Sequence, residues 1–341
     1  MRSLCCVIGT LVFCLVTSNS SGSPHSDTLS SAQSLAAAEQ RLGTTHPDLL
    51  AILGPLAELR FREAEIAEAL ALRRRSLKIA VDAFGNGSAP AAEAMVALAS
   101  VYMYLGQYFD AEPLLITADN VLTDRLGAED PAMAPVLSGL ARAALARGDK
   151  DSARNRVERA VAIDEKSRSE DRSERLRTLG AVLAVEERFD ESARVLQQAV
   201  ALDREGTDEL ATARSLSQLA NTFLREKRFS DALPLVEEAT AIDQSRLGAT
   251  HPLIADDFYD LGLIYLETKR APDAQKALAS AVSLLNRGAG RGTPREAYIQ
   301  LALARAAHEQ GRETESATLF AEAQRILNAA EEEGRGRERE I

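Results

Sequence analysis

Apolar and small residues recur in fixed columns from residue 47 to residue 330. Leu56, Leu98, Leu140, Leu179, Leu219, Leu261 and Leu303 mark the first column. Each is followed by a small residue: Ala57, Ala99, Ala141, Gly180, Ala220, Gly262 and Ala304. Thirteen positions after each Leu stands another: Ala69, Ala111, Ala153, Ser192, Ala232, Ala274 and Ser316. Seven further on is a third: Ser76, Ala118, Ala160, Ala199, Ala239, Ala281 and Ala323. The markers are 42, 42, 39, 40, 42 and 42 residues apart, a period that means a repeat array. Apolar residues three before the marker (Leu53, Met95, Leu137, Leu176, Leu216, Phe258) complete an i, i+3 helical stripe. Small residues at fixed points on two helices let the backbones approach closely, so Ala111, Ala160, Ala232 and Ala274 should tolerate no large side chain. Each unit therefore reads as helix–turn–helix. One unit alone cannot bury its stripe, whereas stacked neighbours make a continuous core.

Short breaks separate the units. Arg246-Leu247-Gly248-Ala249-Thr250-His251-Pro252 recurs as Arg41 to Pro47 and as Arg125 to Pro131, with a worn copy at Phe84 to Pro90. Gly accepts the left-handed conformation past a helix end, and Pro fits the first helical position of the next. Asp130, His46 and His251 stand where an N-cap is needed. The pattern predicts pairs at 47–84, 90–125, 131–166, 171–204, 207–246, 252–286 and 294–330. It also predicts a linker at 21–26, a lone capping helix at 27–42 and a charged tail at 331–341 that frays. Residues 166–171 replace the usual turn between the third and fourth pairs, and the glycines of 288–292 form the most flexible connection.

Leu98-Ala99, Tyr102, Gly106, Tyr108, Ala111, Leu115 and Ala118 follow one another in an order that resembles the tetratricopeptide repeat (TPR), in the 42-residue form seen in kinesin light chains. Leu261-Gly262, Tyr265 and Ala274 repeat the match, and the resemblance covers roughly residues 27–327. It implies an all-α, right-handed α-solenoid of about seven helix pairs with an N-terminal capping helix. The matching residues are packing residues and carry no function by themselves. There are departures. The first unit has Arg60 and Arg73 at apolar positions, and the fourth and fifth lack the Leu-Gly…Pro turn before them. The Asn that kinesin light chains place just before the marker is replaced throughout, so their cargo specificity does not carry over.

Composition adds three points. With 45% apolar but only 4% aromatic residues and no Trp, the core rests on Ala and Leu. A net charge of −11 argues against nucleic acid or an anionic membrane as the main partner. Residues 1–20 join a short basic start to an apolar run from Cys5 to Val16, too short to span a bilayer, and then to small polar residues. This reads as a signal peptide cut after Ser20, with a lipid anchor at Cys14 as the runner-up and disfavoured by bulky Phe13. All three cysteines lie in this segment, so an exported chain carries no disulfide or thiol chemistry.

No catalytic or phosphate-binding motif is present, and no cofactor, metal or enzymatic activity is expected. His46 and His251 read as repeat features, His308 as a surface residue, and Arg73-Arg74-Arg75 with Lys78 as a solvated face among glutamates. In TPR arrays the exposed face of the first helix of each pair lines the concave groove. In the third to fifth units, the family's groove positions select Arg142, Glu174, Arg177, Arg214, Gln218, Asn221 and Arg225. In the second they select the apolar Val96, Met103 and Tyr104, and in the last two mostly acidic residues such as Asp256, Asp260, Glu267 and Glu309. Two readings follow for the arginines. They grip carboxylates of an extended peptide, or they pair with acidic residues on neighbouring helices. The expected function is an exported, non-catalytic scaffold binding an acidic peptide or protein. A structural or assembly factor of the cell envelope and a regulatory module of a separately encoded enzyme stand as alternatives.

Overall fold

The computed structural model describes residues 24–287 and 292–338. The expected signal peptide, the glycine-rich stretch 288–291 and residues 339–341 lie outside the described residues. Among the described residues there are fifteen α-helices, two short 3-10 turns and no strand. Helix α1 (Pro24–Leu42) stands alone. The rest are paired: α2 (Leu50–Arg62) with α3 (Ile66–Phe84), α4 (Ala89–Tyr104) with α5 (Tyr108–Leu126), and α6 (Met133–Ala146) with α7 (Lys150–Ser167). Then follow α8 (Arg172–Val185) and α9 (Phe189–Glu205), α10 (Glu209–Arg225) and α11 (Phe229–Leu247), α12 (Ala255–Glu267) and α13 (Ala271–Leu285), and α14 (Pro294–Glu309) and α15 (Glu313–Glu338). Seven pairs thus follow the lone helix.

Both ends of the helical region differ from expectation. Helix α1 starts at Pro24, inside the stretch read as linker, because Pro suits a first helical turn. Helix α15 continues to Glu338, through most of the tail read as frayed. The charge there argued for disorder, but Ala329, Ala330 and the glutamates at 331–333 are strong helix formers.

The chain divides into two compact units, residues 1–211 and 212–341. In the first, α1 packs on α2 through Leu35, Leu49 and Leu53, and the successive pairs stack α3 on α4, α5 on α6 and α7 on α8. In the second, α11 packs on α12 and α13 on α14. The small-residue columns are the contact line. Ala69, Ala111, Ala153, Ser192, Ala232 and Ala274 are wholly buried, as are Ala118, Ala160, Ala199, Ala239, Ala281 and Ala323 in the next column.

The breaks between pairs are built from backbone chemistry. Gly85, Gly127 and Gly248 adopt φ of 85, 93 and 88° with ψ of 156, 157 and 142°. That is beyond the compact left-handed region expected from sequence and essentially open to Gly alone, since the chain must leave the helix and run extended into the next cap. The caps follow. The amide of Ala132 donates to Asp130 Oδ1 at 2.9 Å, that of Asp48 to His46 Nδ1 at 3.2 Å and that of Leu253 to His251 Nδ1 at 3.3 Å. Arginines clamp the same turns: Arg75 donates to the Thr44 carbonyl at 2.7 Å and Arg125 to that of Gly87 at 3.1 Å. Arg73 pairs with Glu58 and Arg74 with the Tyr102 hydroxyl, so this basic run ties helices together.

Candidate functional site

Position 24 after the marker Leu lies on the second helix of each pair. In four pairs it is Ala80, Leu122, Leu285 or Leu327, but in the third, fourth and fifth it is Asp164, Asp203 or Asp243. A helix that buries a carboxylate must bring it a partner. In the first unit α8 supplies the partners. Arg177 Nη1 reaches Asp203 Oδ2 at 3.0 Å and Ser173 Oγ at 3.3 Å. Arg175 lies 3.5 Å from Asp164 and 2.9 Å from Glu174. Arg142, Arg175 and Arg177 are 7, 3 and 5% exposed. Burial pushes the Glu174 carboxyl up, but Arg175, Arg177 and Arg142 together hold it below its usual range. Asp164 and Asp171 stay above theirs, because burial outweighs Arg175. Arg142 also acts on Tyr108, whose buried phenol is pushed up against that opposing charge.

Of the residues expected to line a groove, Arg142 and Arg177 are thus enclosed in an internal charge network of the first unit. Tyr104, in the same unit, is half-buried with its ring edge-on to Phe61 at 4.8 Å. Met103, expected at an apolar groove mouth, is 1% exposed and belongs to the apolar core that α4 shares with α5. Arg214, Gln218, Asn221 and Arg225 all lie on α10 in the second unit and are half-buried. Their spacing of i, i+4, i+7 and i+11 puts them on one face of that helix. This stripe has cations at both ends and amides between.

The second unit carries an acidic counterpart. Asp257 and Asp260 of α12 are 4 and 3% exposed, and Asp256 pairs with Arg295 of α14. Ser217 of α10 donates to Asp257 Oδ1 at 3.2 Å. Burial, then the carboxyls of Asp243, Asp260 and Asp256, push Asp257 well above the usual carboxylate range. Burial and Asp256 do the same to Asp260 against the pull of Arg295. No group of three His, Cys, Asp or Glu among the described residues is placed to hold a metal ion. No described helix is long and apolar enough to cross a membrane. His308, as expected, lies at the surface, 3.0 Å from Glu313. Sequence reading missed the aspartate column and its partner Arg175; the signal was the change from Ala or Leu to Asp at one repeat position.

Paired helices with small-residue contact lines and polar faces define a helical-repeat protein of the kind that binds other proteins. Tetratricopeptide-repeat models match residues 90–166, 173–245 and 259–331, more than half of the chain, and the protein belongs to the tetratricopeptide repeat family. No match is found among curated protein sequences. Solved structures share the fold. A Rap protein complexed with Competence and Sporulation Factor superposes with a TM-score of 0.62 at 12% identity, over 83% of this chain and 77% of its own. Aspartyl phosphate phosphatase F from Bacillus subtilis gives 0.57 at 11% identity, over 86% and 74%. The nearly identical TPR-like repeats of a Podosopora anserina kinesin light chain give 0.43 at 23% identity, over 59% and 97%.

Proposed function

We propose that this protein is an exported, non-catalytic scaffold that holds an extended, acidic peptide or protein segment on the polar face of α10. The observation that carries the reading is the stripe Arg214, Gln218, Asn221 and Arg225. A side-chain amide carries both donors and an acceptor, which suits the backbone of an extended chain, and Gln218 and Asn221 put two of them on this face. A guanidinium at each end suits carboxylates, which its planar fork binds bidentately. A fold neighbour, the Rap protein, is complexed with Competence and Sporulation Factor, so a bound partner is compatible with this architecture. Arg142 and Arg177 enter the proposal as internal supports, since their charges meet carboxylates of the chain itself.

The test is capture from the envelope and secreted fractions by residues 24–341, beside the variant Arg214→Glu/Arg225→Glu. Circular dichroism checks that both are folded. A partner held by the wild type and lost by the variant, and recovered by Arg214→Lys/Arg225→Lys in part only, is the expected result. The same partners on both would end the reading. Export has its own measurement. The N-terminal sequence of the protein recovered outside the cytoplasm should begin at Ser21; an intact Met1 would overturn export, and a lipid on Cys14 would replace cleavage after Ser20 with anchoring.

A further inference from the structure

The turn between α3 and α4 departs from its copies at two adjacent positions. After the helix-ending glycine the other breaks carry Thr44-Thr45, Ala128-Glu129 and Ala249-Thr250, whereas this one carries Asn86-Gly87. The geometry of the turn rests on its other residues. Gly85 supplies the positive φ, at 85°, and Ser88 is the N-cap of α4, accepting from the Ala91 amide at 3.3 Å. Gly87 has no positive φ, and a Cβ added to it would meet nothing within 4 Å. Residues 82–87 are all exposed, and the Asn86 side chain makes no hydrogen bond among the described residues. Asn86 is also the only asparagine of the chain that precedes a glycine, while Asn120 and Asn155 lie inside α5 and α7.

We propose that Asn86 is a modification site, which loses its side-chain amide by spontaneous deamidation through a ring closed by Gly87, and that the isoaspartyl product loosens the α3–α4 turn. The Gly87 main-chain nitrogen attacks Asn86 Cγ. A bond forms between them, the Cγ–Nδ2 bond breaks, and Nδ2 leaves as ammonia with the proton that the Gly87 nitrogen gives up. Water then opens the cyclic imide. Cleavage at Cγ leaves aspartate, and cleavage at the main-chain carbonyl leaves isoaspartate, with the backbone routed through Cβ. No oxidant or reductant takes part. Attack requires the Asn86 backbone to rotate until the next nitrogen reaches Cγ, and a side chain on residue 87 would crowd that nitrogen, so glycine is the favourable second residue. An exposed turn permits the rotation, whereas the hydrogen-bonded helices around Asn120 and Asn155 resist it. The product bears on the first joint of the stack. Arg125, in the last turn of α5, donates to the Gly87 carbonyl at 3.1 Å, and the Ser88 amide donates to the Gly85 carbonyl at 3.2 Å. Isoaspartate inserts an extra main-chain carbon between residues 86 and 87. The longer backbone shifts the carbonyl that Arg125 holds and widens the loop that the Ser88 amide closes. This site is independent of the stripe on α10.

Incubation of the full chain at pH 8 and at pH 5, followed by peptide mapping with mass spectrometry, tests the site. The peptide holding Asn86 should gain one mass unit with time and split into aspartyl and isoaspartyl forms. It should do so faster at pH 8, because the attacking nitrogen must lose its proton. Peptides holding Asn120 and Asn155 should stay unchanged over the same time. Gly87→Thr, which copies Thr45 and Thr250, should abolish the conversion and leave the circular dichroism as it is. In the separated isoaspartyl form, amide exchange should show lost protection over residues 88–92 and unchanged protection in α13. An Asn86 that stays intact at pH 8, or that converts no faster than Asn120 and Asn155, would overturn the site. So would a sugar on Asn86 Nδ2 in protein recovered from the secreted fraction, since Asn86-Gly87-Ser88 also fits the acceptor pattern for N-glycosylation. Full protection of residues 88–92 in the isoaspartyl form would overturn the loosening.

Discussion

Arg177→Val should destabilise the first unit by about 3–5 kcal/mol, because it removes one partner of a buried ion pair and leaves the other uncompensated. Arg177 and Asp203 have side chains only 6 and 5% exposed and sit 3.0 Å apart. Without the guanidinium, Asp203 must either stay charged in a poor solvent or take up a proton, and Glu174 loses one of the three cations that hold it ionised. The double replacement Arg177→Val/Asp203→Leu should be close to neutral. The second helix pair shows why: Val96 and Leu122 occupy those two repeat positions and pack in the apolar core of that pair. Replacing a buried pair by well-packed apolar residues is often neutral or stabilising, whereas breaking it is costly. Urea unfolding followed by circular dichroism at 222 nm distinguishes the cases. The pair is refuted as an internal support if the single variant keeps the wild-type midpoint, and the repeat equivalence fails if the double variant is as unstable as the single.

The repeat was legible because close packing is periodic. A small residue at a helix contact line has no alternative, so Ala111, Ala160, Ala232 and Ala274 could be placed in the core from spacing alone, and all four are wholly buried. The turns were legible for the same reason, since only a few residues accept their geometry. Polar side chains were harder to place. Arg142 and Arg177 stand at positions that line a groove in the family, yet a long side chain can turn back toward a carboxylate on the neighbouring helix. Spacing fixes where a Cα lies and leaves that choice to the partner. The partner was in the sequence, at position 24 of the unit, but it had to be read as an exception within an apolar column. Helix α15 shows the reverse case, where net charge argued for disorder and local helix propensity prevailed.

Gly180→Ala should cost about 1–3 kcal/mol through overpacking, although Ala is the better helix former by about 1 kcal/mol. A Cβ on residue 180 would stand 2.5 Å from Leu196 Cγ and 2.7 and 2.9 Å from its two methyl carbons. Leu196 is wholly buried, so its branch point cannot swing away without moving α9. The repeats contain the remedy. Gly180 and Gly262 each face a Leu, Leu196 and Leu278, seventeen residues after the marker. In the third and fifth pairs the residue after the marker is Ala141 or Ala220, and the residue at the facing position is Val157 or Val236. In the third to sixth pairs the two positions thus trade volume, whereas the second pair combines Ala99 with Leu115. Leu196→Val alone should cost about 1 kcal/mol by leaving a small cavity, while Gly180→Ala/Leu196→Val should lie near the wild type. A double-mutant cycle on the urea midpoints measures this directly, and a coupling of about 1 kcal/mol or more is expected for residues in contact. Additive effects would mean that the helices of the fourth pair separate to admit the methyl group, and that the glycine is dispensable for their approach.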